Sequence, residues 1–187
     1  MSTYGTAIIA DVADEAAARR ILPQLEAALE PLYADISSIV PNPAAEAEPA
    51  ISTHGNQVRM SVYLPTAAVD DLAHQAFHAV GPGRAVVAED ADEYGVVFSV
   101  WKLTTGDPQQ VYRTHVTGDS NPELVPDNLR QGAQAATEAA ALYDADPQAI
   151  LDIENDPTPV ADNLGTIGDP FSPWLDALGL AWPDSRE

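Results

Sequence analysis

Four carboxylates stand within five positions of the chain, at Glu89, Asp90, Asp92 and Glu93. Clustered carboxylates bind calcium when they alternate along a loop of about 12 residues that ends in a bidentate Glu. A loop counted from Asp90 places Trp101 at that last position, so the calcium-binding pattern is not met. We expect instead a charged turn between two strands, whose carboxylates meet a positively charged surface.

Two histidines one helical turn apart, His74 and His78, have the spacing of the zinc ligands in the protease sequence HExxH. Gln75 stands where that sequence needs its catalytic Glu. The pair could still chelate a transition metal weakly with Asp71. Helical geometry places both imidazoles opposite the apolar face of their helix, which favours an ordinary solvated surface. We therefore predict no metal site and no cofactor.

A serine nucleophile would indicate a third kind of site, that of a serine hydrolase. The sequence GDSN at residues 118–121 contains the serine of one esterase class. That class places the activating histidine downstream of the serine, but His115 is the last histidine of the chain. The sequence also contains no GxSxG, Walker or dinucleotide-binding glycine pattern. We predict a protein that is not an enzyme.

Cations inside predicted strands are less expected in an acidic chain. Arg59 and Arg113 alternate with apolar neighbours along their strands. With Tyr63 and His115 we expect them to share the sheet face that the helices leave open. A small anionic ligand on that face is one explanation of these cations. Ion pairs with carboxylates of the C-terminal segment are the simpler explanation.

Hydrophobic periodicity gives the elements that must position these residues. Alternation predicts strands, helical spacing predicts helices, and three prolines mark a loop at residues 41–56. Two strand-helix-strand units in succession predict an α+β fold over residues 1–118, a ferredoxin-like antiparallel sheet with helices on one face. The predicted strands are near residues 5–10, 33–40, 57–64, 84–90, 95–103 and 110–117, and the predicted helices are near 14–31 and 66–80.

Composition changes after residue 118. Residues 119–187 carry 14 acidic and 2 basic side chains, whereas residues 1–118 carry 15 and 6. The segment holds an alanine-rich helix, a helix begun by Asp146 and Pro147, and a helix begun by Ser172. We predict an acidic C-terminal extension, helical and loop-rich, that packs on the first domain.

The net charge of −21 restricts the class of partner. Phosphate backbones and anionic lipids repel such a chain, so we expect neither nucleic-acid nor membrane binding. Cysteine is absent, which fits a reducing compartment. The sequence shows no leader pattern and no apolar run of the roughly 18 residues that span a bilayer. We expect a cytoplasmic protein with a cationic partner.

Bacterial toxins that act on nucleic acids or nucleotides have basic active sites. Carboxylates that enter such a cleft mimic phosphates and accelerate encounter. We therefore predict a non-enzymatic immunity protein or antitoxin.

Two alternatives stay open. One is a small-ligand or enzymatic domain with its site on the open sheet face, and the other is an acidic assembly or structural factor. An acidic excess that serves only solubility, from a halophilic cytoplasm or codon bias, is a further explanation. The predicted contact residues are Glu89, Asp90, Asp92, Glu93, Asp152, Glu154 and Asp156.

Overall fold

A single antiparallel sheet of six strands forms the centre of the molecule. The structure, a computed structural model, describes residues 4–35, 40–67, 69–92, 95–118 and 126–183. The strands are β1 Gly5–Val12, β2 Ala50–His54, β3 Gln57–Leu64, β4 Gly83–Asp90, β5 Val96–Leu103 and β6 Gln109–Val116. The helices are α1 Glu15–Tyr33, α2 Ala73–Phe77, α3 Ala133–Tyr143, α4 Pro147–Asn155, α5 Thr158–Ala161 and α6 Ser172–Ala177. The strand order across the sheet is β2-β3-β1-β4-β5-β6.

The α+β class and the antiparallel sheet are confirmed, but the ferredoxin-like label is not. The strand order is not that of a ferredoxin-like sheet, and every pair of neighbouring strands is antiparallel. Helices lie against both faces of the sheet rather than one, because α3, α4 and α6 cover the face that we expected to be open. The sheet is therefore the middle layer of three.

The edge strand β2 lies in the segment that we predicted to be a loop. The predicted strand at residues 33–40 is wrong where the structure describes it, since α1 continues to Tyr33; residues 36–39 lie outside the described residues. A two-residue connection, Gly55 and Asn56, joins β2 to β3, and Gly55 has a φ of 62°. Glycine at the first central position is the signature of a tight hairpin turn. The side chains of β2 are mostly exposed. We therefore attribute the formation of this strand to the tight turn rather than to burial of its side chains.

Helices α1 and α2 cover one face of the sheet. Helix α1 begins at Asp14, whose carboxylate accepts a hydrogen bond from the Ala17 backbone nitrogen at 2.7 Å. Its buried side chains Ile21, Leu25 and Leu29 recur every four residues and so form one stripe. They pack against alternate residues of β1, β3 and β4 in a shared apolar core.

The opposite face packs against the C-terminal helices. The Trp174 indole on α6 stacks on Phe98 of β5, with ring centroids 5.1 Å apart and planes 8° from parallel. Both side chains belong to a core that also includes residues of β1, β4, α3 and α4. The domain boundary that we predicted at residue 118 stays a prediction, but this core extends across it. No helix in the described ranges is long and apolar enough to cross a bilayer.

Replacing Trp174 by Ala should lower the free energy of unfolding by about 3–5 kcal/mol, because it deletes a buried aromatic ring. Urea denaturation followed by circular dichroism measures the change. The sheet and the C-terminal helices share this core, so we expect one transition for the whole chain. Leu32→Ala is the control, since Leu32 is 55% exposed and should change stability by no more than about 0.5 kcal/mol. A separate early transition of the C-terminal helices would contradict the shared core.

Candidate functional site

Buried ion pairs occur on both faces of the sheet. On the face under the C-terminal helices, Asp11 of β1 binds two arginines that are its direct cross-strand partners, Arg59 on β3 and Arg84 on β4. Arg59 donates to both carboxylate oxygens at 2.6 and 2.8 Å, and Arg84 donates to Oδ2 at 2.9 Å. Burial opposes ionisation of Asp11, but the two guanidinium groups outweigh it and hold its pKa below the ordinary value.

The second arginine of this group also connects the sheet to α3. Arg84 donates a hydrogen bond from Nη1 to the carbonyl oxygen of Leu142. Its guanidinium carbon lies 4.3 Å from the centre of the Tyr143 ring, which is cation–π geometry. The contacts of Arg84 therefore join β1, β4 and the end of α3.

A different cluster lies on the α1 and α2 face, where Arg113 of β6 meets Asp70 and Asp71. Arg113, 4% exposed, forms ion pairs with Asp70 Oδ2 at 2.9 Å and with Asp71 Oδ1 at 3.1 Å. The Ser99 hydroxyl donates to Asp70 and accepts a hydrogen bond from Trp101 Nε1 at 2.9 Å. Strands β5 and β6 thus hold both sides of the Asp70 carboxylate.

Glu89 fixes the segment that carries these aspartates. Its Oε2 accepts hydrogen bonds from the backbone nitrogens of Val69 at 2.7 Å and Asp70 at 3.0 Å. These are the first amides of the 3₁₀ turn Asp70–Leu72, which have no partner within the turn itself. Glu89 is 8% exposed, so this carboxylate serves the fold.

Burial raises the pKa of Asp70 to about 6, although the Ser99 hydrogen bond and the Arg113 charge act to lower it. The charges of Glu89 and Asp71 reinforce the upward shift. Ser99 is fully buried, and its hydroxyl is both donor and acceptor within the cluster. A substrate cannot reach it, so we do not interpret the cluster as a hydrolytic site.

A cavity of about 350 Å³ opens beside Arg113. Its charged lining consists of three carboxylates and one guanidinium, those of Asp71, Glu89, Asp127 and Arg113, and His115 lies in the same wall. The carboxylate excess favours a cationic group over an anion. This cavity brings together three of the residues that the sequence indicated, Glu89, Arg113 and His115.

The carboxylate cluster at residues 89–93 is divided between the fold and the turn. Glu89 and Asp90 are buried at the end of β4 rather than exposed on a loop tip. Asp90 Oδ1 accepts a hydrogen bond from the backbone nitrogen of Asp92 at 2.8 Å. Asp92 is half-buried with a left-handed φ of 57°, and Glu93 lies outside the described residues.

The acidic residues expected from the C-terminal segment are engaged locally. Asp152 accepts a hydrogen bond from Gln148 Nε2 at 2.7 Å, and Asp156 accepts one from the Thr158 backbone nitrogen at 3.2 Å. Both oxygens of Glu154 accept from the Gly132 backbone nitrogen, at 3.2 and 3.0 Å. The ion pairs that we expected between this segment and the sheet arginines are not formed by these residues.

The four residues of the alternative ligand site do not form one site. Arg59 and Tyr63 lie on the face of the C-terminal helices, where Tyr63 contacts Trp182 at a ring distance of 6.0 Å. Arg113 lies on the opposite face, with His115 in the wall of the cavity beside it. The prediction that these four residues share an open face of the sheet was wrong. Alternation shows which residues of one strand share a face, but not which layer of the structure that face meets.

Histidines and carboxylates do not converge on a metal site in the part of the chain that the structure describes. His74 and His78 are exposed on α2 and at its end, with ring centroids 6.4 Å apart. His74 Nε2 lies 3.9 Å from Asp107 Oδ1. This arrangement is the solvated pair that helical geometry indicated.

Sequence reasoning missed Asp11, Arg84 and Asp70. Asp11 stands in the apolar strand sequence AIIADV, and a charge at such a position needs a buried partner of opposite sign. That signal, combined with arginines in two other strands, could have indicated the Asp11 cluster. Asp70 gave no such signal, because its burial depends on a 3₁₀ turn that was predicted as ordinary helix.

No protein-family model, curated protein or solved structure matches this chain.

The raised pKa of Asp70 predicts a pH dependence of stability. Because the native carboxyl has a pKa of about 6 against an ordinary value of 3.8, the native state holds a proton that the unfolded chain has released. The contribution of Asp70 to the free energy of unfolding should therefore fall as pH rises from about 4 to about 6.

Comparing wild type with Asp70→Asn isolates this contribution. The stability of wild type relative to the variant should fall over that pH range and level off above it, at a slope of no more than about 1.4 kcal/mol per pH unit. Carbon-13 NMR of the Asp70 carboxyl gives the midpoint directly. Asp152→Asn, at an exposed position, should leave the slope unchanged. A carboxyl midpoint below pH 4 would contradict the assignment.

Proposed function

We propose that this protein is a non-enzymatic acidic binding protein that neutralises a cationic protein, as an immunity protein or antitoxin does to a basic bacterial toxin. The distribution of charge in the fold carries the proposal. Arg59, Arg84 and Arg113 form ion pairs with Asp11, Asp70 and Asp71. None of these three arginines is exposed, so few basic residues stand at the described surface.

The described surface is consequently predominantly acidic. Basic side chains are exposed at only four described positions, Arg19, Arg20, Lys102 and Arg130. Carboxylates are exposed at seventeen described positions, Asp14, Glu15, Glu26, Glu30, Asp35, Glu46, Glu48, Asp71, Asp107, Asp127, Asp144, Asp146, Asp152, Asp156, Asp162, Asp169 and Asp176. Such a surface attracts cationic proteins from a distance and repels nucleic acid and anionic membrane.

The cavity beside Arg113 is the contact that we favour for this partner. Asp71 and Asp127 line it, and Asp92 follows Ala91 of its wall; we call these three aspartates the acidic rim. A lysine or arginine of the partner that enters the cavity would meet the rim first and Glu89 deeper inside. Arg113 opposes this entry weakly, because its charge is compensated by ion pairs with Asp70 and Asp71.

The predicted contact residues contribute to this proposal unequally. Glu89 and Asp90 are buried, and of these two only Glu89 lines the cavity. Asp152 and Asp156 are exposed on the C-terminal segment and form the rival contact surface. Glu93 stays a prediction outside the described residues.

The other proposals have less support. An enzymatic or small-ligand site on an open sheet face finds no open face among the described residues, since helices cover both. No particular contact favours an assembly or structural role. The absence of cysteine fits a reducing compartment, so we propose that the protein acts in the cytoplasm.

Affinity capture from the native host, with identification by mass spectrometry, tests the proposal. We expect a partner of net positive charge whose association rate falls steeply as salt is raised, because surface charges are screened within about 8 Å at physiological ionic strength. The partner's own activity should be inhibited by this protein. Capture of neutral or acidic proteins alone, or a partner whose activity is unchanged, would contradict the proposal.

Variants then locate the contact. Asp92→Asn with Asp127→Asn should reduce the association rate about tenfold and flatten its salt dependence, since rim charges act mainly on encounter. Asparagine tolerates the left-handed backbone of Asp92, so folding should be preserved. The matched control removes the same charge from α1 through Glu26→Gln with Glu30→Gln, and its association rate should change much less.

The rival surface needs a parallel pair, Asp152→Asn with Asp156→Asn. A loss of association rate in this pair, with none in the Asp92 and Asp127 variant, would place the contact on the C-terminal segment. Equal losses in all three pairs would show that the net charge attracts the partner without a local contact.

A further inference from the structure

The end of the sheet opposite the acidic rim has a lining without carboxylates. A cavity of about 550 Å³ opens there between the β2–β3 turn, the start of β4, the end of β5 and the end of α3. Its lining includes Asn56, Gln57, Gly83, Arg84, Lys102 and Leu142. Two of them are cations, in a chain with 29 acidic and 8 basic residues.

These cations are direct neighbours. Arg84 and Lys102 are cross-strand partners in the β4–β5 pair. Like charges placed directly opposite each other destabilise an antiparallel sheet, by up to about 1 kcal/mol. A negative charge close to both side chains would therefore relieve the repulsion between Arg84 and Lys102.

The protein supplies only part of that charge. Asp11 is shared between Arg59 and Arg84, so one carboxylate serves two guanidinium groups before Lys102 is counted. Lys102, the only lysine of the chain, is exposed and forms no ion pair with the described residues. The group of three cations and one carboxylate keeps a positive charge.

Neighbouring groups add hydrogen-bond donors. The side-chain amides of Asn56 and Gln57 stand in the same lining, and each amide nitrogen can donate two hydrogen bonds. The carbonyl oxygen of Leu142, an acceptor in the wall, is already bonded to Arg84. Donors therefore outnumber free acceptors around Lys102.

We propose that this cavity binds a small oxyanion, a phosphate or carboxylate group, with the Lys102 ammonium as its principal contact and Arg84 fixed beside it. The net negative charge of the molecule does not prevent binding, because at physiological ionic strength charges beyond about 8 Å are largely screened. The site is independent of the proposed function, since Arg84 and Glu89 stand near opposite ends of β4.

The single lysine makes the test specific. Protein labelled with carbon-13 at the lysine ε-carbon gives one side-chain signal, that of Lys102. This signal can be followed during titration with sodium phosphate at constant ionic strength set by sodium chloride. We expect a saturable shift of this signal and of the backbone amides of Gly83 and Leu103. Sodium acetate in a second titration separates the two sources. A response to both anions indicates general oxyanion binding, and a response to phosphate alone indicates a phosphate site.

Charge variants complete the test. Backbone amide shifts in Lys102→Gln should show phosphate affinity weakened at least about fivefold, whereas Lys102→Arg should retain it. Arg19→Gln removes the same charge from an exposed position and should leave affinity unchanged. The amide spectrum reports folding of each variant. Shifts that do not saturate, that occur with neither anion, or that persist at full strength in Lys102→Gln would overturn the proposal.

Discussion

The central constraint on this molecule is that a buried charge must have a partner of opposite sign beside it. An unpaired charge inside a protein costs several kcal/mol, and removing one partner of a buried pair costs about 3–5 kcal/mol. Arg59 and Arg84 meet this requirement for the buried Asp11, and Arg113 meets it for the buried Asp70. The Asp11 group also fixes strand register, because a slip of one residue in β3 or β4 would move an arginine to the opposite face of the sheet. Ionic pairing and hydrophobic alternation thus specify the same alignment of the three central strands.

The two ends of the sheet also differ in charge. Where Arg84 and Lys102 are neighbours, the lining of the surface is cationic, and where β4 ends, Glu89 and the acidic rim make it anionic. The C-terminal helices cover the second face with apolar side chains and turn their carboxylates outward. An approaching molecule therefore meets regions of opposite sign at the two ends of one sheet. Net charge alone does not convey this polarity.

Sequence patterns were informative where one interaction dominated. Apolar strand patterns located β1, β3, β4, β5 and β6, because these strands supply the apolar cores on the two faces of the sheet. The Asp146 cap located the start of α4. Strand β2 was missed because it depends on the Gly55 turn rather than on burial. The faces of Arg59 and Arg113 could not be assigned, since that requires knowing which helices cover which side. Asp70 and Ser99 are distant in sequence and meet only when the sheet and the 3₁₀ turn are both formed.

The covering of the second face has a consequence for biosynthesis. Apolar residues of β1 and β4, such as Ile9 and Val86, are covered by side chains that follow residue 132, among them Ala136 and Trp174. During translation the strands leave the ribosome well before these covering residues exist. A nascent chain that has already paired its strands would therefore present a bare apolar surface until α6 emerges. Such surfaces are the usual starting point of aggregation and chaperone binding, so the time taken to translate the last third of the chain sets how long this protein is at risk.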